Sequence, residues 1–125
     1  MTRVAMIGSI GHNGYVIDGV RFRNEVTITA VAPGPHEADA RRVQRQAAGA
    51  GQSPKIYDDY RVLLDEASAD IVTIACHYSD HAAVAIEALK RGKHVFMEKP
   101  IATTLEDFDR LSKVYADTEG LQLSS

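Results

Sequence analysis

The chain is predicted to be an α/β domain built on one doubly wound parallel sheet. Three observations carry the prediction. Short, apolar, β-branched runs recur along the sequence. Segments with helical spacing or helix-capping residues separate them. Strand starts fall roughly 15 to 30 residues apart, the spacing of right-handed βαβ units.

Val4-Ala5-Met6-Ile7 is a short apolar run that stops at Gly8 and reads as a first strand buried on both faces. A glycine-rich turn and a helix over about Gly14 to Phe22 follow. Val26 to Val31 is the second strand, stopped by Pro33-Gly34-Pro35. His36 to Ala48 is polar and alanine-rich and reads as a solvent-facing helix. Residues 49–54 form a loop, and Lys55-Ile56-Tyr57 a minimal third strand. Asp58 or Asp59 caps the next helix, with Tyr60, Leu63, Leu64 and Ala67 at helical spacing. Ile71 to Cys76 is nearly continuous apolar sequence, the pattern of a central parallel strand. Ser79 or Asp80 begins a helix carrying Val84, Ala85, Ala88 and Leu89, and Gly92 ends it. His94 to Glu98 is the fifth strand. Thr103-Thr104-Leu105-Glu106 matches a capping box in which Thr103 and Glu106 satisfy each other's backbone donors. Its helix carries Phe108, Leu111, Val114 and Tyr115, and Gly120 stops it. Leu121-Gln122-Leu123 is a sixth strand.

Composition narrows the function classes. At 125 residues the expectation is one domain, 1–125, large enough to bury a stable core. The net charge of −3 offers no basic field for nucleic acid or an anionic membrane surface. No apolar run approaches the ~20 residues that span a bilayer, and Met1-Thr2-Arg3-Val4 leads straight into a strand, without the apolar stretch of a signal peptide. Cytoplasmic is the default location. The single cysteine, Cys76, excludes an intrachain disulfide and reads as a small buried hydrophobe. No second cysteine or histidine cluster offers metal-ligand spacing.

The candidate chemistry falls at the carboxyl ends of the strands, where ligands gather in open parallel sheets. Gly8-Ser9-Ile10-Gly11-His12-Asn13-Gly14 follows a strand and opens a helix. That is the context of a pyrophosphate site: glycines admit a close backbone approach, and the helix amino terminus supplies free N–H donors. The spacing is G-x-x-G-x-x-G, with Ile10 where a middle glycine is common. Either the loop is one residue longer or one close approach is lost; the competing reading is a turn that binds nothing. At the end of the second strand an acid that would hold the adenosine ribose is missing: Ala32 and Pro33 stand there, and Glu37 is the first carboxylate. Arg41 is within reach of a 2′-phosphate or else is a solvated helix residue. After the fourth strand, His77, Tyr78 and His81 line a ligand cleft, or His81 hydrogen-bonds its own loop. Glu98-Lys99-Pro100 sets a carboxylate and a lysine at the tip of the fifth strand, where Pro100 ends the ladder.

The run from Ala88 to Pro100, ALKRGKHVFMEKP, resembles the Gfo/Idh/MocA family of nicotinamide-dependent oxidoreductases, in which GKHV..EKP recurs. The resemblance covers nearly the full length. It implies an NAD(P)-binding Rossmann fold with strand order 3-2-1-4-5-6, NAD or NADP as cofactor, and hydride transfer to or from a sugar, polyol or related hydroxyl-bearing small molecule. It implies that Gly8, Ile10, Gly11, His12, Asn13, Gly14, His77, His81, Glu98 and Lys99 contact the cofactor. Lys99 would be catalytic, polarising a substrate carbonyl, its pKa lowered by desolvation and nearby positive charge. Of the family's T-P-N-x-x-H segment only His81 matches. The family's usual C-terminal substrate domain, with its Asp and His, is expected to be absent. The exposed apolar surface this leaves implies a possible homo-oligomer. The alternative is a stand-alone, non-catalytic nucleotide- or CoA-binding module.

Overall fold

Six strands and five helices alternate through residues 1–125, all of which the computed structural model describes. In chain order they are β1 (Thr2–Ile7), α1 (Asn13–Arg21), β2 (Val26–Ala32), α2 (Arg41–Gly49), β3 (Lys55–Ile56), α3 (Tyr60–Glu66), β4 (Ile71–Ile74), α4 (His81–Lys90), β5 (His94–Met97), α5 (Leu105–Ala116) and β6 (Leu123–Ser124). All strand pairs are parallel and the order is β3-β2-β1-β4-β5-β6. The order reverses between β2-β1 and β4, so the carboxyl ends of β1, β4 and β5 open onto one edge.

Alternation along each strand divides the core in two. Ala5, Ile7, Val72, Ile74, Val95 and Met97 pack with α3, α4 and α5 residues such as Leu63, Val84, Leu89 and Leu111. Val4, Met6, Ile28 and Val31 pack with Ile17 and Val20 of α1 and Val43 and Ala47 of α2. Each fully buried large aliphatic contributes roughly 1.5–3 kcal/mol relative to exposure. The register of β1 on β2 shifts between Val4 and Ala5. On the α1 side, Phe96 in β5 remains half exposed. At the opposite, amino-terminal edge Arg3 ties β1 to the start of β4: its backbone N–H and Nη2 donate to the Asp70 carboxylate at 2.8 and 3.0 Å. That pairing holds the Asp70 pKa down to about 2. No helix is long and apolar enough to cross a membrane.

Several element ends differ from the sequence reading, each for a local reason. Residues 36–40 are not helical; α2 begins at Arg41, whose N–H is taken by the Asp39 carboxylate at 3.0 Å. His36 and Glu37 point their side chains at other loops instead. Asp59, not Asp58, caps α3, accepting from Arg61 N–H at 2.7 Å. The α5 cap lies one residue later than the expected box: Thr104 Oγ1 accepts from Asp107 N–H at 3.1 Å, in place of Thr103 with Glu106. A single 3₁₀ turn, Tyr78–Asp80, precedes α4. α5 stops at Ala116, short of Gly120, and β6 covers Leu123–Ser124 rather than 121–123.

Candidate functional site

The loop after β1 owes its path to two glycines. Gly8 has φ +99° and faces the Ala75 backbone so closely that any Cβ would overlap its carbonyl. Gly11 has φ +75°, and a Cβ there would overlap the Glu98 carboxylate. Gly14 meets no such constraint, its Cβ position being open. Asn13, buried, laces the loop by donating from Nδ2 to the carbonyls of Gly8 and Ile10, both at 3.2 Å. Ile10 N–H donates across to Ala75 O at 3.2 Å, joining the β1 loop to the β4 exit. The extra spacing thus lengthens the loop into contact with β4. At the start of α1 the N–H groups of Gly11, Asn13 and Gly14 have no acceptor within the chain. Three free donors at a helix amino terminus attract an anion by roughly 0.3–1 kcal/mol, more when partly buried.

Glu98 continues β5 by one bond, its N–H reaching Ile74 O at 2.9 Å. Its carboxylate crosses to the glycine loop, where Oε1 accepts from His12 N–H at 3.1 Å and contacts His12 Nδ1. The His12 ring also stacks on exposed Tyr15, centroids 5.3 Å apart. Lys99 follows on the same side. His12, Asn13, Tyr15, Thr73, Phe96, Glu98 and Lys99 line one cavity of about 370 Å³ that also touches Ile74, Ala75 and Met97. Lys99 itself is exposed, so the burial expected around it is not present in this chain. The Lys99–Pro100 peptide is cis. Inside the cavity wall Thr73 Oγ1 is buried without a hydrogen-bond partner. A larger depression of about 600 Å³, around Met1, Arg23, Asn24 and Gln52, lies at the amino-terminal edge, away from all of these groups.

The β4 exit departs from its expected role. His81 is fully buried, with Nδ1 2.8 Å from Pro100 O and Nε2 3.0 Å from Cys76 O. It fastens the β4 and β5 loops together and does not line the cleft, because α4 seats its first turn against the sheet. Cys76 is buried, and desolvation, with Glu37 and Asp80 nearby, pushes its thiol up to about 12. His77 is exposed and lies edge-on to His36, centroids 6.2 Å apart, on the β2 side of the loop rather than beside Lys99.

Two groups on that side carry more than the sequence reading assigned them. Glu37 turns back to the glycine loop, where Oε1 accepts from Ser9 N–H at 2.6 Å, while Oε2 is buried without a partner. Burial raises the Glu37 pKa, and an unpaired buried acceptor costs roughly 1–3 kcal/mol. His36 Nδ1 lies 2.6 Å from Asp80 Oδ2, a bridge from the β2 exit over β1 to the β4 exit. The sequence signal for Glu37 was slender: it is the first acid after the Pro-Gly-Pro stop. Arg41 lies 3.8 Å from Asp39 and is largely exposed, whereas Arg42 Nη1 donates to Ser9 O at 3.2 Å.

Comparison with known proteins accounts for this arrangement. A glycosyl hydrolase family 109 protein 2 of Akkermansia muciniphila is 33% identical over 116 residues, 84% of this chain and 23% of its own length. An inositol 2-dehydrogenase of Salmonella typhimurium is 40% identical over 57 residues, 46% of this chain and 17% of its own. The structure of myo-inositol dehydrogenase from Lactobacillus casei, in complex with NAD(H) and myo-inositol, superposes with a TM-score of 0.80 at 26% identity, covering 98% of this chain and 36% of that one. The chain therefore spans about a quarter of the first of these relatives and about a third of the solved dehydrogenase. Residues 2–124 match the oxidoreductase family, NAD-binding Rossmann fold, known as Gfo/Idh/MocA. The chain therefore belongs to the Gfo/Idh/MocA oxidoreductases and is an NAD-binding Rossmann domain of that family.

Proposed function

We propose that this chain holds NAD along the carboxyl edge of its sheet as the cofactor-binding part of an enzyme that moves hydride to or from a sugar, polyol or related hydroxyl-bearing small molecule. One observation carries the reading: the His12–Asn13 end of the glycine loop and the Glu98–Lys99 tip share a single cavity. The groups present suit the cofactor. Free N–H donors at Gly11, Asn13 and Gly14 match a diphosphate. The apolar wall of Ile74, Ala75, Phe96 and Met97 suits a flat ring.

Bound nicotinamide supplies the hydride donor or acceptor; this chain's residues arrange the rest. Lys99 Nζ, exposed at the cavity mouth, approaches the reacting oxygen of a hydroxyl-bearing substrate. Its charge stabilises the alkoxide that develops as hydride moves, and its ammonium donates a proton to that oxygen in reduction or, deprotonated, removes one in oxidation. Glu98, fixed by His12, holds the β5 tip against the loop and so sets where Lys99 stands.

The reading predicts NADH binding by fluorescence titration or calorimetry, with Lys99→Met changing the dissociation constant only a few-fold. Absence of binding for NAD, NADH, NADP and NADPH at millimolar concentration would overturn it. Acyl-CoA binding more tightly than any dinucleotide would replace it.

A further inference from the structure

We infer that His94 is a pH-sensitive latch on β6: its neutral imidazole accepts the Gln122 N–H at Nδ1, 3.0 Å away, and a proton on that nitrogen releases the strand. The inference is independent of the dinucleotide reading, because its readout needs no ligand. A backbone N–H can only donate. The bond therefore requires a lone pair on Nδ1 and places the ring proton of the neutral form on Nε2. An imidazolium carries a proton on both nitrogens. Its Nδ1–H would face the Gln122 N–H, donor against donor, and the bond is lost.

The strand so held is lightly attached. β6 is two residues long, whereas β5 pairs with β4 over four. Val95 stands beside Leu123 and Phe96 beside Ser124. Ahead of those pairs Gln122 makes two ties. Its carbonyl accepts from Val95 N–H at 2.9 Å, and its own N–H reaches the His94 ring in place of a backbone carbonyl. Segments with few bonds open locally at low free energy, so one bond is a sizeable part of the attachment. Ser125, just past β6, lines the cavity shared by Phe96 and Lys99, so the attachment also fixes that side of the cavity. His94 is half-buried on the side of β5 that α1 faces, since it pairs in register with Ile71, which packs with the α1 cluster. The charges around it have other partners. On β4 the Asp70 carbonyl takes the His94 N–H at 3.0 Å, and the Asp70 carboxylate holds Arg3. Lys93 donates from Nζ to Ala69 O at 2.8 Å. On α1, Asp18 and Arg21 lie 3.8 Å apart. Across the sheet, at the end of α4, Lys90 is exposed and Arg91 is held by Asp65 at 2.6 Å. Residues 121–124 carry no charge, and Asp117 and Glu119 in the turn before them are exposed. None of these groups bonds Gln122, so no second acceptor is in place when the ring is protonated.

The experiment follows amide hydrogen exchange at Gln122 by NMR from about pH 8 to about pH 5, the range in which imidazoles change charge. Each rate is divided by that of the unfolded chain at the same pH. Protection of Gln122 is expected to fall by about three- to tenfold across the range, the worth of one hydrogen bond, with the same midpoint as the His94 ring signals. The Ile28 N–H, whose acceptor is the Gln52 side-chain amide at 2.9 Å, is the reference and should keep its protection. His94→Asn puts an acceptor that does not titrate in the place of Nδ1 and should hold Gln122 protected at both ends of the range. His94→Leu, with no acceptor, should leave it weakly protected at both. Flat protection of Gln122 in the natural chain would overturn the inference, as would a pH step that survives in His94→Asn. An equal fall at Ile28 would mark loosening of the whole domain and overturn it too. If neither variant folds, the natural chain decides alone: a Gln122 step whose midpoint departs from that of the His94 ring refutes the latch.

Discussion

Gly8 and Gly14 belong to one loop motif, yet replacing each by alanine is expected to move stability in opposite directions. At Gly8 two costs add. An L-residue at φ +99° sits in a left-handed conformation costing roughly 1–2 kcal/mol. Its Cβ would also overlap the Ala75 carbonyl, and because that neighbour is backbone it yields only by parting the β1 and β4 exits. Taking the strain of an overpacked site, roughly 1–3 kcal/mol, the total is about 2–5 kcal/mol. A chain of 125 residues unfolds with an entropy that makes 1 kcal/mol worth about 4 °C, so Gly8→Ala should lower the midpoint by about 8–20 °C. Gly14 stands in the first turn of α1, without positive φ and with open space where a Cβ would go. Gly14→Ala removes freedom from the unfolded chain and should raise stability by about 0.4–1 kcal/mol, or about 2–4 °C. Thermal melts followed by circular dichroism, with urea titration as a second probe, measure both. Equal losses for the two variants, or a Gly8→Ala midpoint within about 2 °C of the natural chain, would refute the assignment of Gly8 as a backbone necessity.

Asp70 has a folded pKa of about 2 against an ordinary 3.8, because Arg3 favours its charged form. A depressed carboxylate pKa contributes stability that is present above pH 3.8 and lost as pH falls through about 2. Asp70→Asn should therefore flatten the acid limb of the stability profile between those values, modestly because the pair is exposed; an unchanged limb in urea titrations across that range contradicts the pairing. Thr73→Val replaces an unpaired buried hydroxyl with a methyl group and should stabilise by about 1 kcal/mol. A clear loss would mean that Oγ1 has a partner in solution. His81→Phe removes the ring N–H that bridges toward the Cys76 and Pro100 carbonyls and should cost about 1–3 kcal/mol, which chemical denaturation should register. A nearly neutral result would show that water serves those two oxygens.

What the residues announced and what they concealed divide by the range of the interaction. The strand runs Val4–Ile7, Ile71–Ile74 and His94–Met97 were legible because a parallel strand buried on both faces needs local apolar sequence. Gly92 was legible as a stop because a left-handed residue, φ +75° here, favours glycine whatever surrounds it. The start of α2 was not. His36-Glu37-Ala38 has ordinary helical composition, but the side chains of His36 and Glu37 are engaged by Asp80 and Ser9, partners 44 and 28 positions away that no local pattern displays. Thr103 and Thr104 each precede an acid by three residues, so two capping boxes one register apart were written in the same stretch. The chain uses the second, Thr104 with Asp107 N–H. At His81 the sequence left a ligand contact and a loop bond both open. Burial decides it, since a fully enclosed imidazole facing two carbonyls has no edge left for a cofactor.

The carboxyl edge has an order of charge that bears on how a dinucleotide would lie. Reading across the sheet from β2 to β5, Glu37 comes first, as an acceptor seated on Ser9. Next come the unpaired N–H donors of Gly11, Asn13 and Gly14. Glu98 is last, an acceptor seated on His12 with Lys99 beside it. The ligand has the complementary sequence: a ribose diol, a diphosphate, a second ribose diol. Carboxylates repel the diphosphate from both flanks and leave it the helix terminus between them. The cross-braces Asn13–Gly8, Ile10–Ala75 and His81–Pro100 fix these groups before any ligand arrives, so little ordering cost falls on binding. The pattern alone is nearly symmetric and would accept the molecule either way round. Under the proposed mechanism Lys99 breaks the symmetry: the Glu98 end carries its exposed ammonium, whereas at the Glu37 end His36 is engaged by Asp80 and Arg42 by Ser9 O. Reversal would place the adenine there and carry the nicotinamide to Glu37 and buried Cys76, whose thiol, held at about 12, remains protonated at neutral pH. The orientation that fits the proposed function therefore puts adenosine over β2 and the reacting ring over β5.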